Sequence, residues 1–572
     1  MANKRVVIDP ITRIEGHLRI EVEVDENNVV QKAYSSSTLW RGIELILKGR
    51  DPRDAGLMAQ RICGVCTYSH YKAGVEAVED ALGVVPPYNA KLVRSLLNES
   101  LYMHDHVVHF YHLHGLDWVD VVSALSADPK KASEEAFKYT DLPIATGTDE
   151  LTAVQKRVKG FVDKGQLGPF ANAYWGNKTY KFTPEQNLIA LSHYLKALEV
   201  QRTAAQMFAV FGAKHPHPQS LVVGGVTSVR DILSPSRLSE WKAKYEIVKD
   251  FIDRAYYADI AMAAAAYGGE KSVLGGLGVK NFLAGDGFML NRTENLFESG
   301  YIKNGDLTKV YDIDEMKIEE DVTHAWYKGE RPLQPYDGVT DPDYTGFIDG
   351  DTVNGKAKVI DPKDKYTWVK APRYDKEPAE VGPLACLLVN YVRGNEKVQK
   401  AVNDFLKLTG LPLEALFTTL GRTAARMLQT KLISDNAIIT FNSLIENLKT
   451  DDSTYTKFEI DPKVEYKGRF IGEVPRGTLS HWVRIKNGLI ENYQAVVPTT
   501  WNAGPMDANG KVGPYEASLV GLKLEDPSKP LEVLRVIHSF DPCMACSVHV
   551  VDLHGVEISE FKVNPLSSGA AC

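Results

Sequence analysis

The sequence predicts a mainly α-helical α+β fold, with small β-sheets near both ends of the chain and a central helix bundle. Three observations predict it. The first 36 residues carry "RVVID" (5–9), "HLRIEVEV" (17–24) and the start of "VVQKAYSSS" (29–37), alternating or continuous apolar runs broken by polar turns, which is how strands read. Long stretches of the middle repeat apolar residues at three- and four-residue steps, the period of a buried helix face. Near the far end, "WVRIKNGLIENYQAVV" (482–497) is a hairpin, because Asn487-Gly488 supplies the positive φ angles a two-residue turn needs.

In chain order, the pattern turns helical from about 51 to 83, where Asp51-Pro52 is a helix-start signal. After "PPYNA" a long helix shows Leu92, Val93, Leu96, Leu97, Leu101, His104, Val107 and Val108 at helical spacing. Further helical patterns cover about 184–212, 236–264, 394–408 and 412–449. Residues of about 300–380 are rich in Asp, Gly, Pro and Tyr and show little periodicity. They read as an irregular surface excursion with short strands, not a separate domain. No internal repeat stands out.

The bulk numbers exclude several classes. The net charge of the 572 residues is −8, so no broad basic field exists to hold nucleic acid or an anionic membrane. No apolar run is long enough to span a bilayer. The start, "MANKRVVIDP", lacks the apolar core of a secretory signal and has no twin arginine. On its own the chain reads as cytoplasmic, unless a partner carries the address.

Six cysteines in a chain this long make no disulfide scaffold. Four of them form two CxxC pairs, Cys63/Cys66 in "RICGVC" and Cys543/Cys546 in "DPCMACSVH". A redox dithiol would follow a thioredoxin-like strand, whereas Cys63 follows a helical pattern. A structural zinc site keeps its pairs roughly 15–20 residues apart, and these pairs lie nearly the whole chain apart. The reading left is a deeply buried thiolate site closed by the two chain ends, suited to soft or borderline transition metals. Glu15 in "RIEGH", Asp541 before the second pair and His549 after it add proton-handling groups.

Other metal candidates read as bland. His104, His106, His109, His112 and His114 do not share one helix face, and packing or hydrogen bonding is expected for most of them. "DPDYTGFIDGDT" puts Thr352 where a calcium loop needs a bidentate glutamate. Cys386, inside an apolar run, reads as a core residue.

"RICGVCTYSH" and "DPCMACSVH" together resemble the two signature motifs of the large subunit of [NiFe] hydrogenases. The resemblance covers nearly the whole chain: "DPITRIEGHLRIE" at the start, "WRGIE" at 40–44, "HDHVVHFYHLHGLDWVD" at 104–120, "VPRGTLSHW" at 474–482 and "YQAVVPTTWN" at 493–502. It points to the periplasmic uptake type. It implies the hydrogenase large-subunit fold and a single large catalytic domain over 1–549. It also implies that Cys63 and Cys543 are terminal nickel thiolates, and that Cys66 and Cys546 bridge nickel to an iron carrying carbonyl and cyanide. Cys543 would take the proton when hydrogen splits, and Glu15 would pass it on. Arg476 would stand over the open metal position, oriented by Asp105 and Asp541. Pro475, Arg476 and Thr499 would wall the cyanides. Glu44, the carbonyl of Ala495 and His549 would hold a magnesium or iron ion.

The resemblance further implies partners: a small subunit with iron–sulfur clusters that carries the export signal, a maturation endopeptidase and nickel-insertion chaperones. Members are trimmed after the final His of the second motif, so residues 550–572 resemble a maturation extension, with cleavage expected between His549 and Val550. Rival readings are a regulatory hydrogen sensor, which shares the active site but typically lacks the extension, and a non-catalytic zinc-binding relative. The quinone-site subunit of respiratory complex I is similar in fold but lacks the four cysteines.

Overall fold

Three antiparallel strands open the chain, β1 (Lys4–Ile8), β2 (Leu18–Val24) and β3 (Val30–Ser37), paired in that order. The computed structural model describes residues 4–269, 275 and 278–547. Ile20, Val22 and Val24 turn inward and pack with Leu522, Val533 and Ile537 from the other end of the chain. Backbone bonds make the same join: Val30 N–H donates to Leu522 O at 2.8 Å, and Gly521 N–H donates to Val30 O at 2.8 Å. The N-terminal sheet therefore receives the C-terminal segment directly, and this draws the two ends of the sequence together.

Helices fill the middle. α1 (Thr67–Leu82) and α2 (Tyr88–Val108) follow the first thiol pair, and α2 runs on into a wider π turn, His109–His114. α3 (Pro184–Gly212) starts where Thr183 and Gln186 cap each other, with bonds of 3.1 and 3.2 Å, and Pro184 stands at the first position. α4 (Thr419–Leu448) packs along α2, which in turn packs on α3.

Expected helix bounds shift in two places. The pattern from 412 begins as a short 3-10 turn, Leu413–Leu416, and the α-helix waits for Thr418, whose hydroxyl accepts from Gly421 N–H at 3.0 Å. The pattern over 236–264 is split into Pro235–Phe251 and Tyr257–Tyr267 by a π turn over Ile252–Tyr256. Helices at Pro129–Ala136, Thr148–Asp163 and Pro383–Val392 also occur.

The irregular stretch from 300 to 380 holds short strands, such as Ile318–Asp321, Ile348–Thr352 and Ala371–Tyr374, and two 3-10 turns, Glu315–Lys317 and Pro335–Asp337. It leans on the N-terminal sheet: Val353 N–H donates to Arg5 O at 2.9 Å and Trp368 N–H donates to Ser37 O at 3.2 Å. A second sheet, β4 (Tyr466–Val474), β5 (Gly477–Lys486) and β6 (Leu489–Val496), packs on α1. Asn487 and Gly488 make the β5–β6 turn with φ of 55° and 75°. The chain then runs through α5 (Pro498–Ala503) and α6 (Leu531–Ser539) to the second thiol pair.

Candidate metal centre

The first pair sits where a short turn, Gln60–Ile62, gives way to α1. Cys63 is extended and Cys66 is the residue just before the helix. Val65 and Cys66 N–H groups point at Cys63 Sγ, at 3.2 and 3.3 Å. A helix N-terminus and two amide donors favour thiolate over thiol.

The second pair is brought to the first by Glu15. Residue 15 forms a parallel β-bridge with Cys543, and Met544 N–H donates to Glu15 O at 2.8 Å. The approach is so close that Gly16 has no room for a side chain. A Cβ there would lie 2.6 Å from Ala545 N, and φ is +81°. Arg41, in "WRGIE", also links the two motifs: its guanidinium donates to the carbonyls of Arg61 at 3.1 Å, Ile62, and Ala545 at 3.3 Å. Gly16→Ala is therefore expected to push residues 543–545 away from the first pair. Nickel content of the purified protein should fall severalfold while helical circular dichroism stays close to native; full nickel occupancy would contradict the close-approach argument.

Cys543 Sγ lies 3.3 Å from Cys63 Sγ and 3.8 Å from Cys66 Sγ. All three are buried. A tetrahedral thiolate site with metal–sulfur bonds of about 2.3 Å has sulfur–sulfur edges of about 3.8 Å, so the spacing suits one shared soft metal. The side chain of Cys546 and the whole of His549 lie outside the described residues, as does the extension 550–572.

Arg476 reaches this cluster from the tip of a two-residue hairpin. Val474 and Gly477 pair across the β4–β5 turn, leaving Pro475 and Arg476 at its end. Gly477 has φ of +123°, and a Cβ on it would lie 2.4 Å from Gly382 N. The Pro475 carbonyl is pinned by His106 Nε2 at 2.9 Å and Arg426 Nη1 at 3.2 Å. Arg476 itself is buried and lies between Asp105 (Nη1 to Oδ2, 3.1 Å) and Asp541 (Nε to Oδ1, 3.2 Å). Arg426 stands 3.8 Å from the other Asp541 oxygen.

The electrostatics follow from burial among these charges. Burial acts to deprotonate Arg476, but Asp541, the Cys543 sulfur and Asp105 outweigh it and hold the guanidinium firmly charged. Burial pushes the Asp105 carboxyl up, yet the His104 hydrogen bond and the Arg476 charge win and keep it below its ordinary value. Asp541, with less help, is held above the usual carboxylate range by burial. Burial, then the charge of Cys63, raises Glu15 to about 7, against the opposing pull of Ala545 N–H, Cys543 and Arg476. Glu15 Oε2 is 3.4 Å from Cys543 Sγ and accepts from Ala545 N–H at 2.8 Å.

A small cavity beside the sulfurs is lined by Cys66, Ser69, His70, Pro475, Arg476 and Thr499. The Thr499 oxygen accepts from Cys543 N–H at 3.2 Å, which leaves its own O–H to donate elsewhere. His70, four residues after Cys66 and so on the same helix face, was not singled out by the sequence. Burial pushes its ring down to about 4, so it is neutral at ordinary pH.

Glu44 lies apart, on a short helix, Ile43–Leu47. One oxygen accepts from Ala495 N–H at 3.0 Å; the other meets the Thr340 hydroxyl and, at 3.6 Å, Lys370. Glu44 and Ala495 are thus neighbours, and their contact is made through the Ala495 N–H, not through the carbonyl.

The five histidines of 104–114 are all hydrogen-bonded. His104 meets Asp105, His106 meets Thr430 and Pro475 O, His109 meets His538 O, His112 meets Tyr194 O, and His114 meets Asp117. His114, Asp117 and His538 are close enough together to grip a metal. Asp117 is instead shared among His114, His538 and Arg13, and His114 Nε2 accepts from the indole Nε1–H of Trp118 at 3.0 Å. This network locks α6 to the N-terminal segment just ahead of the second thiol pair, since His538 also meets Thr12 O at 2.9 Å.

A family model described as "Nickel-dependent hydrogenase" matches residues 41–549, and one described as "HoxL-like" matches residues 5–36. The chain is 66% identical to the "Quinone-reactive Ni/Fe-hydrogenase large chain" of Wolinella succinogenes, over 99% of both chains. It is 46% identical to the "Hydrogenase-2 large chain" of Escherichia coli K12, over 98% of this chain and 100% of the relative. Among solved structures, the Ni-Fe-Se hydrogenase of D. vulgaris Hildenborough in its oxidized state superposes with a TM-score of 0.77 at 31% identity, over 96% of this chain and 100% of that one. Three buried sulfurs drawn from opposite ends of the sequence thus sit in a chain that matches hydrogenase large chains from end to end: it belongs to the nickel-dependent hydrogenase family, as the catalytic large subunit of a [NiFe] hydrogenase.

Proposed function

We propose that the sulfur cluster under Arg476 holds a nickel–iron centre that turns hydrogen over in both directions, and that Glu15 is the first proton station beyond it. The contact that carries this reading is Glu15 Oε2 against Cys543 Sγ at 3.4 Å, beneath a guanidinium held by two buried carboxylates. Cys63 and Cys543 would be terminal ligands of nickel, and Cys66 and Cys546 would bridge to iron with its carbonyl and cyanide ligands. When bound, the centre supplies the heterolytic cleavage of hydrogen into two protons and two electrons. Soft thiolates suit both metals, and four anionic sulfurs offset their charge.

The chain's own residues handle charge and protons. The Cys543 sulfur holds the first proton, and Glu15 Oε2 takes it from there toward the surface. Arg476 fixes a positive charge over the site without losing a proton of its own. Asp105 and Asp541 set its direction. Pro475, Arg476 and Thr499 enclose the small cavity where diatomic ligands fit, with the free Thr499 O–H as a donor to them. Glu44, the Ala495 carbonyl and His549 would bind magnesium or ferrous iron; a carboxylate and a carbonyl are hard oxygen donors, and the imidazole widens the choice to iron.

The electrons need a partner, since four of the six cysteines belong to the centre and the rest cannot ligate a cluster. A small subunit with iron–sulfur clusters would receive them. The Wolinella relative is named quinone-reactive, which favours a membrane-associated complex; the periplasmic side is what the resemblance of the motifs implies. Among the described residues no helix is long and apolar enough to cross a membrane, so the attachment would come through partners. The family model stops at residue 549, in line with endopeptidase cleavage between His549 and Val550 after chaperones deliver nickel. Intact-mass measurement of the large subunit in the active complex should give a chain ending at His549.

Metal analysis and infrared spectroscopy of the purified complex test the centre. Nickel is expected, with iron in excess of it because the small subunit's clusters add their own, together with bands of metal-bound carbonyl and cyanide. Zinc without nickel would remove the reading.

A further inference from the structure

His70, His481 and Tyr493 form an unbroken hydrogen-bonded row that no step above uses. His70 Nδ1 is 3.1 Å from His481 Nε2, and His481 Nδ1 is 2.5 Å from Tyr493 Oη. His70 stands on α1, His481 on β5 and Tyr493 on β6. In the sheet register His481 faces Ala495 and Tyr493 faces Val483, so the two are diagonal neighbours on one face. All three side chains are buried. One end of the row, His70, lines the cavity beside Cys66 and Arg476; the other end lies in the field of Glu44.

The row has a direction. Tyr493 keeps its proton, because a phenol ionises only at about pH 10 even in water and this one is buried. A buried O–H needs an acceptor, and leaving it unmade costs its full desolvation. Among the described residues His481 Nδ1 is the hydrogen-bond partner of that hydroxyl. Tyr493 therefore donates, and His481 Nδ1 accepts. The proton of the His481 ring must then be on Nε2, which donates to His70 Nδ1. With Nδ1 taken as an acceptor, the neutral His70 ring carries its proton on Nε2, the nitrogen left for the cavity.

We propose that Tyr493 and His481 are positioning residues that fix the tautomer of His70, so that it presents an N–H donor, not a lone pair, to the sulfur-lined cavity. A lone pair there would face anionic sulfur and raise the energy of the loaded site; an N–H lowers it. The inference rests on the thiolate cluster being the metal centre.

Two experiments test it on the holoenzyme. Neutron diffraction after deuterium exchange should place deuterium on Tyr493 Oη, on His481 Nε2 and on His70 Nε2. Deuterium on His70 Nδ1 would overturn the assignment. The second experiment compares His481→Gln with His481→Leu. The glutamine amide can put an N–H where Nε2 was; leucine has no donor. His481→Gln should keep hydrogen turnover within about threefold of wild type, and His481→Leu should lose at least about tenfold with a shift in the carbonyl infrared band. Equal turnover and equal bands in the two variants would overturn the proposal. If neither variant accumulates, the neutron result alone decides. A zinc-only protein would sink the metal reading instead, and the proton positions would still be read independently.

Discussion

Replacing Glu15 by glutamine is expected to cut hydrogen turnover by at least about a hundredfold, within the range for loss of a positioned acid–base group, while nickel and iron stay bound. Glutamine keeps the length of the side chain, and its amide oxygen can still accept from Ala545 N–H, a bond that is 2.8 Å in the native protein. The β-bridge between residue 15 and Cys543 is made by the backbone and survives. What disappears is a carboxylate that can take a proton from a sulfur 3.4 Å away. Metal content, infrared bands and turnover should be measured on the same preparation. Unchanged turnover would mean that the proton leaves by another route; loss of metal would mean that Glu15 is structural.

That contact also marks how far the sequence could be read. The two thiol pairs, of which three sulfurs are seen to meet, and the helices with clean periodicity, such as α2 and α3, were legible because a chelating pair and a one-sided apolar stripe leave local marks. The β5–β6 hairpin was legible from Asn487-Gly488 alone. The helix Pro383–Val392 was not predicted, since nearly every side is buried and an apolar run without a polar face has no period to detect. The sequence pattern starts α4 seven residues early, because the apolar repeat runs on through a 3-10 turn ahead of the cap at Thr418. The meeting of the two chain ends was legible only from the two thiol pairs and the family motifs, not from any local structural pattern. Its physical causes are long-range: the strand β3 pairing with residues 521–522, the His538–Asp117–Arg13 network, and Gly16 against Ala545. The Tyr493–His481–His70 row left no local mark either, since its three members are contributed by one helix and two strands.

Arg476→Lys tests the other half of the site, and turnover is expected to fall about a hundredfold, the loss seen when one donor is taken from a charge-stabilising site. The native side chain reaches two buried carboxylates with different nitrogens, Nη1 to Asp105 at 3.1 Å and Nε to Asp541 at 3.2 Å. Lysine ends in a single nitrogen on a flexible stem and cannot hold both at once. One carboxylate then loses its partner. Asp541 is the more exposed to that loss: burial already holds it above the usual carboxylate range, and its remaining cation, Arg426, is 3.8 Å away. Asp105 keeps its hydrogen bond with His104 at 3.0 Å. The substitution therefore preserves the net positive charge and breaks the geometry, which separates the two contributions. The metals should remain, because no ligand is touched. A companion Asp541→Asn variant, which leaves the guanidinium in place but loosens its anchor, should fall less than Arg476→Lys. If Arg476→Lys turns hydrogen over at a near-native rate, charge alone suffices above the sulfurs, and the paired carboxylates serve the fold instead of the reaction.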